Sequence, residues 1–555
     1  MAAAQVQAQV VRALVHLLAN LGVDHVVLSP GSRSTPLAQA VAEREECGDW
    51  RITVVLDERS AGFVALGLAR AGHRPLLVCT SGSAVANWLP AVVEAGESGL
   101  PLLLLSGDRP LRLQGVGAPQ TVRQQQLLAS YAAVLHLEAC AEDATSQFAT
   151  VATKMRQHVA EMHFAPRPLH LNVGLDLPLA LTPGPLWPRQ AVDLPAAVLP
   201  AGPVIAPPEP DERVLVVAGP LTLQDPQLLQ RLAQSALLLA EWPSHLAVGQ
   251  LRWFDLWLRD PEWRRRALPD RLVRLGEWPA SKGLQLLLDD AAAAGVPFEV
   301  VEPGRTSDPL GCNRLSTPLS PLVALRTWGQ PASGAVEDWR AQFRALDRLV
   351  QEHQAPLAGP PERLLVRALT TALAPGDRLV LAKSMAIRDA DAFCPCVPAG
   401  VTVHVARGAN GIDGSLAAAL GTALAGDRTW LLCGDGAFLH DCGSLQLLAQ
   451  CRPDLRIAVV DNGGGTIFDL LPAAQALPAA VHDRLFYAPH GLDLLAITNG
   501  FGLTAQRFDE PEAAVAWLAA GASGPRLAVV AVDRASSLAA RRATKQQVLA
   551  QLAGT

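Results

Sequence analysis

The sequence has no basic excess: 46 Lys and Arg stand against 52 Asp and Glu, a formal net charge of −6 over 555 residues. A surface that tracks phosphates shows a basic excess or basic runs, so no nucleic-acid partner is expected. Long apolar runs are missing too. Half of the chain is hydrophobic, yet no uninterrupted stretch approaches the roughly 18 residues that a membrane span needs. The opening MAAAQVQAQVVRALVHLLANLGV has apolar residues at helical spacing, but Arg12 and His16 interrupt it and no cleavage-site pattern follows. It is expected to be a first helix, not a signal. The nine cysteines, an odd number, lack a CxxC framework, which points to reduced thiols and a cytoplasmic location. The one close pair, Cys394 and Cys396, is given no role. With only 18% of residues charged, the composition argues against long disordered tails.

What is present is a repeating alternation. Apolar runs HVVLS (25–29), RITVV (51–55), PLLVC (75–79) and PLLLLS (101–106) are separated by helical stretches at 34–45, 58–71 and 83–96. Continuous apolar runs, without alternation, mark strands buried on both faces of a parallel sheet. The pattern recurs as RVLVVAG (213–219), LLLAEW (237–242), LVRLG (272–276) and FEVVEP (298–303). It recurs again as RLVLA (378–382), VTVHV (401–405), TWLLC (429–433), LRIAVV (455–460) and RLAVVAV (526–532). Nine prolines between Pro183 and Pro210 interrupt helix and strand alike and read as a linker. The fold class is therefore α/β, with three doubly wound parallel-sheet domains: an N-terminal domain 1–182, a Pro-rich linker 183–210, a central domain 211–353 and a C-terminal domain 354–555.

In such sheets the ligand loops lie at the carboxyl ends of strands. Asp435, in GDG, follows one strand, and Asn462, in NGGG, follows the next, 27 residues later. A carboxylate, an amide oxygen and a backbone carbonyl from the glycine run are hard oxygen ligands, suited to Mg²⁺ that also holds phosphate oxygens. The bland alternative is two glycine turns with a surface Asp. In SPGSRSTPL, Ser32, Arg33 and Ser34 place hydroxyls and a guanidinium at a helix start, an anion-binding arrangement. Arg109 (SGDRP), Arg388 (SMAIRD) and Arg407 (ARGANG) repeat that placement, and together they suit substrates with several carboxylates. Glu58, in LDERSAGF, sits at the start of an apolar helix, where either it or Asp57 could cap. VVAGPLTL (216–223) has no GxGxxG, so neither flavin nor NAD is expected in the central domain.

GDG followed after about 25 residues by Asn resembles the motif with which thiamine-diphosphate enzymes hold Mg²⁺ and the cofactor diphosphate. SPGSRSTPL, TSGSAVAN, SGDRP, GAPQ, SMAIRDAD, RGANGIDG, GDGAFLHD and NGGGTIF together resemble one family among them, the menaquinone-pathway (vitamin K2) synthases called MenD. The resemblance runs from near residue 10 to the end and is weakest between 183 and 355. It implies thiamine diphosphate with Mg²⁺ or Mn²⁺, with the first domain binding the pyrimidine and the third the diphosphate and metal. It implies a transferase that decarboxylates 2-oxoglutarate and adds the four-carbon unit 1,4 to isochorismate. Implied metal ligands are Asp435, Asn462 and Gly464. Implied cofactor contacts are Glu58, Ser83, Gly434, Asp435, Gly436, Ala437, Asn462, Gly464, Ile467 and Phe468, Glu58 being the activator of the aminopyrimidine. Implied catalytic and substrate-contacting residues are Ser32, Arg33, Arg109, Gln120, Ser384, Arg388, Arg407 and Lys282. In the family Glu and diphosphate site come from different subunits, implying a homodimer or a dimer of dimers (a homotetramer). Three positions depart from the family pattern: Gly436 after the Gly-Asp pair, Pro119 in GAPQ, and Gly463 where a second Asn is common. The rival readings are another thiamine 2-oxoacid decarboxylase or acetohydroxyacid synthase, and an inactive scaffold on the same fold.

Overall fold

Apolar runs bounded by turns become parallel strands, and the amphipathic stretches between them become the helices that cover both faces. The computed structural model describes residues 2–162, 166–190, 194–195, 204–221, 226–246, 251–303, 307–354, 359–393, 397–521 and 523–552. Cys394, Cys396 and part of the Pro-rich linker lie outside the described residues.

The first sheet contains β1 (His25–Leu28), β2 (Arg51–Val54), β3 (Pro75–Cys79), β4 (Leu103–Asp108), β5 (Ala133–Glu138) and β6 (Leu169–Gly174), in the order β2-β1-β3-β4-β6-β5. The second contains β7 (Val214–Ala218), β8 (Leu237–Ala240), β9 (Arg271–Leu275), β10 (Phe298–Val301) and β11 (Asn313–Thr317), in the order β11-β10-β9-β7-β8. The third contains β12 (Arg378–Leu381), β13 (Thr402–Val405), β14 (Thr429–Gly434), β15 (Leu455–Asp461), β16 (Thr504–Phe508) and β17 (Arg526–Ala531), in the order β13-β12-β14-β15-β17-β16. Every pairing in the three sheets is parallel. Numbered from its own first strand, each sheet begins 2-1-3-4. The chain reverses direction between its first and third strands, and ligands bind at the carboxyl ends of strands at that reversal.

The chain divides into two compact units, Met1–Pro200 with Leu416–Ala425, and Ala201–Ser415 with Gly426–Thr555. In the first unit the helix Ala2–Asn20 buries Val11, Leu14, Val15 and Leu18 against the sheet core. The expected helix 83–96 is two helices, Ser83–Asn87 and Leu89–Glu97, interrupted at Trp88 because Pro90 cannot continue the hydrogen-bond ladder. β2 departs from burial on both faces: as an edge strand it exposes Arg51 and Val54. In the second unit β7 feeds two cores, Leu215 and Val217 on one face, Val214 and Val216 on the other, as a period of two requires. The final helix, Arg534–Leu552, sends Val548 and Leu552 into the first of these beside Trp257 and Phe343. Among the described residues no helix is long and apolar enough to cross a membrane.

Candidate active site

In the second unit β14 ends at Gly434, and Asp435 opens the helix Asp435–His440. A Cβ at Gly434 or Gly436 would meet nothing within 4 Å, so both backbone units border open space. Asp435 itself is only 2% exposed. Its Oδ1 accepts the Gly436 N–H at 2.6 Å, and its Oδ2 accepts the Asn462 N–H at 3.1 Å across the gap between β14 and β15. Burial raises its carboxyl pKa, while the Gly436 amide and His490 act against that shift.

Asn462 follows β15. Its Nδ2 donates to Thr466 Oγ1 at 2.9 Å, which leaves Oδ1 buried with no hydrogen-bond partner among the described residues. An orphaned buried amide oxygen is costly, and beside a buried carboxylate it fits a hard divalent cation. The glycines bordering this corner leave room for the phosphate oxygens that would share such an ion. His490, unmarked by any sequence spacing, brings its Nε2 to 3.4 Å from Asp435 Oδ2 and 3.6 Å from Asp461 Oδ1.

This corner forms the floor of a cavity of about 630 Å³. Eleven of the sequence-derived site residues line it: Gly434, Asp435, Gly436, Ala437, Asn462, Gly464, Ile467, Phe468, Ser384, Arg388 and Arg407. Ser384 follows β12, on the opposite side of the chain reversal from Asp435, and holds a left-handed conformation, φ +67°. Arg388 donates to the Ser384 carbonyl at 2.6 Å. Burial, with Arg407 nearby, lowers its pKa, so two guanidinium groups share one wall. Arg407 donates weakly to the Pro279 carbonyl, at 3.5 Å, and its Nε is buried without a partner among the described residues. Behind them lies a set of acids that sequence reasoning missed. Glu241 is fully buried; its Oε1 accepts the Ser281 N–H at 2.6 Å, and burial pushes its pKa up to about 7 despite Arg407. Asp391 is raised further, by burial and by Glu241. Lys282 does not line the main cavity. It opens the helix Lys282–Ala293 and lines a neighbouring cavity of about 460 Å³, which shares Met385, Arg388 and Asp389 with the first.

In the first unit the remaining residues follow β1, β2, β3 and β4. Arg33 donates to the Leu175 carbonyl at 2.9 Å, and its amide donates to Thr80 Oγ1 at 3.2 Å. Ser34 turns its hydroxyl back onto the Gly31 carbonyl, leaving Ser32 exposed. Arg109 donates to Ser81 Oγ and to the Gln120 carbonyl; Gln120, at φ +58°, donates to the Ser81 carbonyl at 2.9 Å. Gln124, unmarked in the sequence, anchors this cluster from below. It accepts the Gly82 N–H at 3.0 Å and donates to Asn172 Oδ1 at 2.7 Å. Ser83 is exposed at its helix start. Asp57 caps the next helix by accepting the Arg59 N–H, so Glu58 is not the cap; it is half-buried and accepts from Asn87 Nδ2 at 3.5 Å.

Two family models match this chain. The thiamine pyrophosphate enzyme N-terminal TPP binding domain matches residues 8–127, and the corresponding C-terminal TPP binding domain matches residues 393–532. Similar proteins named 2-succinyl-5-enolpyruvyl-6-hydroxy-3-cyclohexene-1-carboxylate synthase occur in several bacteria. The one from Kineococcus radiotolerans is 38% identical over 94% of this chain and 95% of its own. That from a Synechococcus strain is 36% identical over 94% of each chain, and that from Myxococcus xanthus 35% identical over 98% of this chain and 97% of its own.

Proposed function

Because the chain belongs to the 2-succinyl-5-enolpyruvyl-6-hydroxy-3-cyclohexene-1-carboxylate synthase family of thiamine-diphosphate enzymes, we propose that it decarboxylates 2-oxoglutarate and adds the resulting four-carbon unit to isochorismate. Its strongest support is one cavity floor, where the orphaned Asn462 Oδ1 lies by the buried Asp435 carboxylate below the guanidiniums of Arg388 and Arg407.

Thiamine diphosphate, when bound, supplies the electron sink for loss of CO₂. Asp435, Asn462 Oδ1 and the Gly464 carbonyl would hold Mg²⁺ or Mn²⁺, and the open backbone at Gly434 and Gly436, with Ala437 lining the same cavity, would receive the diphosphate. Ile467 and Phe468 provide an apolar wall that excludes water. Arg388 and Arg407 take substrate carboxylates. Their mutual repulsion in a buried wall is relieved by a dianion, which favours 2-oxoglutarate over a monoacid. Ser384, fixed by its left-handed backbone, orients substrate beside them. Arg33, Arg109 and Gln120, cross-linked through Ser81 and Thr80, with Ser32 at the rim, supply a second set of donors for carboxylates and hydroxyls. Ser83 contacts the cofactor. Glu58, freed from capping by Asp57, holds a proton at the aminopyrimidine. Lys282 attracts anions from the adjoining cavity.

We assign pyrimidine binding to 1–182, a linker to 183–210, a central domain to 211–353 and diphosphate and metal binding to 354–555. The protein acts in the cytoplasm as a homodimer or dimer of dimers, in which Glu58 of one copy serves the diphosphate site of another.

The test is CO₂ release from purified protein with thiamine diphosphate, Mg²⁺ and 2-oxoglutarate, with and without isochorismate, and with pyruvate as control. Fast turnover only with both substrates, with the cyclohexene adduct seen by mass, is the expected result. Turnover of pyruvate alone moves the chain to another thiamine activity, and cofactor binding without turnover makes it a scaffold.

A further inference from the structure

We propose that Tyr487 is the positioning residue of the metal loop, and that position 463 is glycine because the Tyr487 hydroxyl fills the space a side chain there would need. The inference rests on the reading of Asp435, Asn462 and Gly464 as the metal site. It accounts for one departure from the family pattern, Gly463 where Asn is common.

The loop Asn462–Gly465 contains three successive glycines, which have the widest backbone freedom of any residue type. Left alone, such a loop would hold neither the Asn462 amide nor the Gly464 carbonyl toward one point. The structure ties it to Tyr487 at both ends. The Tyr487 hydroxyl donates to the Asn462 carbonyl at 2.9 Å, and the Tyr487 carbonyl accepts the Gly465 N–H at 2.7 Å. A third tie comes three residues on, where the His490 N–H donates to the Gly463 carbonyl at 3.2 Å. Contact is close enough to dictate residue type. A Cβ at Gly464 would fall on the Tyr487 carbonyl oxygen, and one at Gly463 would lie 2.6 Å from the Tyr487 hydroxyl but 3.7 Å from the ring carbon that bears it. The hydroxyl oxygen is therefore the atom that closes position 463. Gly463 also has φ +82°, a region that favours glycine and that Asn tolerates better than most residues.

Tyr487 is itself held. It ends a single π-helical turn, Asp483–Tyr487, and the next residue, Ala488, takes the left-handed conformation at φ +45°, a strained arrangement for alanine. The Arg534 guanidinium lies over the Tyr487 ring, 3.7 Å from its centroid. Arg534 is in turn fixed by Asp469 at 2.6 Å and Asp483 at 2.8 Å. A rigid strap thus supplies the order that the glycines lack, so a cation meets oxygen ligands already in place.

The probe is Mn²⁺, titrated into the full-length protein at saturating thiamine diphosphate, with free Mn²⁺ counted by electron paramagnetic resonance. Absence of Mn²⁺ binding by the unmodified protein would remove the metal-site reading itself. With binding established, Tyr487→Phe, which deletes only the hydroxyl, is expected to weaken Mn²⁺ about tenfold, the scale of outer-shell partners of metal ligands. Unchanged affinity overturns the positioning role and leaves the metal-site reading intact. Gly463→Asn should also weaken Mn²⁺, yet in the Tyr487→Phe background it should add little further loss, because the obstructing oxygen is gone. Full additivity of the two losses overturns the steric half of the proposal, and a fold-wide effect would not produce that coupling.

Discussion

At the residue scale, what was legible were groups whose partners lie close by in the chain. Asp435 between two glycines and Asn462 before three more are each marked by their immediate neighbours, and the structure brings the two together, the Asn462 N–H donating to Asp435 Oδ2 at 3.1 Å. Glu58 was ambiguous on sequence, since either it or Asp57 could cap the helix. The structure gives the cap to Asp57, and Glu58→Gln is accordingly expected to abolish turnover while thiamine diphosphate binding, followed by tryptophan fluorescence, changes little. Glu241, Asp391, Tyr487 and His490 were not legible, because the fold alone brings them to the site. Glu241 makes a second testable case. Its carboxyl is raised from 4.5 to about 7 in the folded protein, so between those values the native state binds more protons than the unfolded one. Stability from this group therefore falls as pH rises from about 4.5 to about 7 and stays flat above. Glu241→Gln keeps an acceptor for the Ser281 amide and removes the ionisation. Its stability relative to the unmodified protein should be greater at pH 8 than at pH 5 by on the order of 2 kcal/mol in urea melts. Equal differences at the two pH values would show that Glu241 does not titrate in that window.

At the element scale, the strands found from sequence were those with continuous apolar runs. The four that were missed have physical reasons. β5, β11 and β16 are edge strands whose burial is incomplete, so their residues need not be apolar. β6 is internal but carries His170 and Asn172, tolerated because Ser106 bonds both, at 2.7 and 2.9 Å. Helix pairing was equally hidden. The helix Glu58–Arg70 meets the helix Ser415–Leu424 at two glycines: a Cβ on Gly67 would strike the Ala418 carbonyl, and one on Gly421 the Val64 carbonyl. Nothing in sequence spacing joins positions some 350 residues apart. Gly67→Ala should cost about 1–3 kcal/mol, the usual penalty of overpacking, read as a lowered thermal midpoint; an unchanged midpoint would mean that the two helices can part freely.

At the scale of the whole molecule, the three parallel sheets were legible, because alternation of apolar runs and helices admits few architectures. The return of Val548 and Leu552 to the core beside β7 was not, since no sequence spacing joins the end of the chain to the central sheet. Two exposed apolar side chains were likewise not marked by the pattern. Val54 is 42% and Leu56 63% exposed, directly before Glu58. In the proposed homodimer these apolar side chains are covered. Leu56→Glu should then shift the protein to a monomer in analytical ultracentrifugation and abolish turnover with it; an active monomer would refute shared sites. The first and third sheets also use one strand order, and in both the candidate site residues follow the first four strands: Ser32, Glu58, Ser83 and Arg109 in one, Ser384, Arg407, Asp435 and Asn462 in the other. One order used twice makes the two sheets equivalent frames, in which the residues placed on a loop, and not the strand it leaves, decide what that exit can hold.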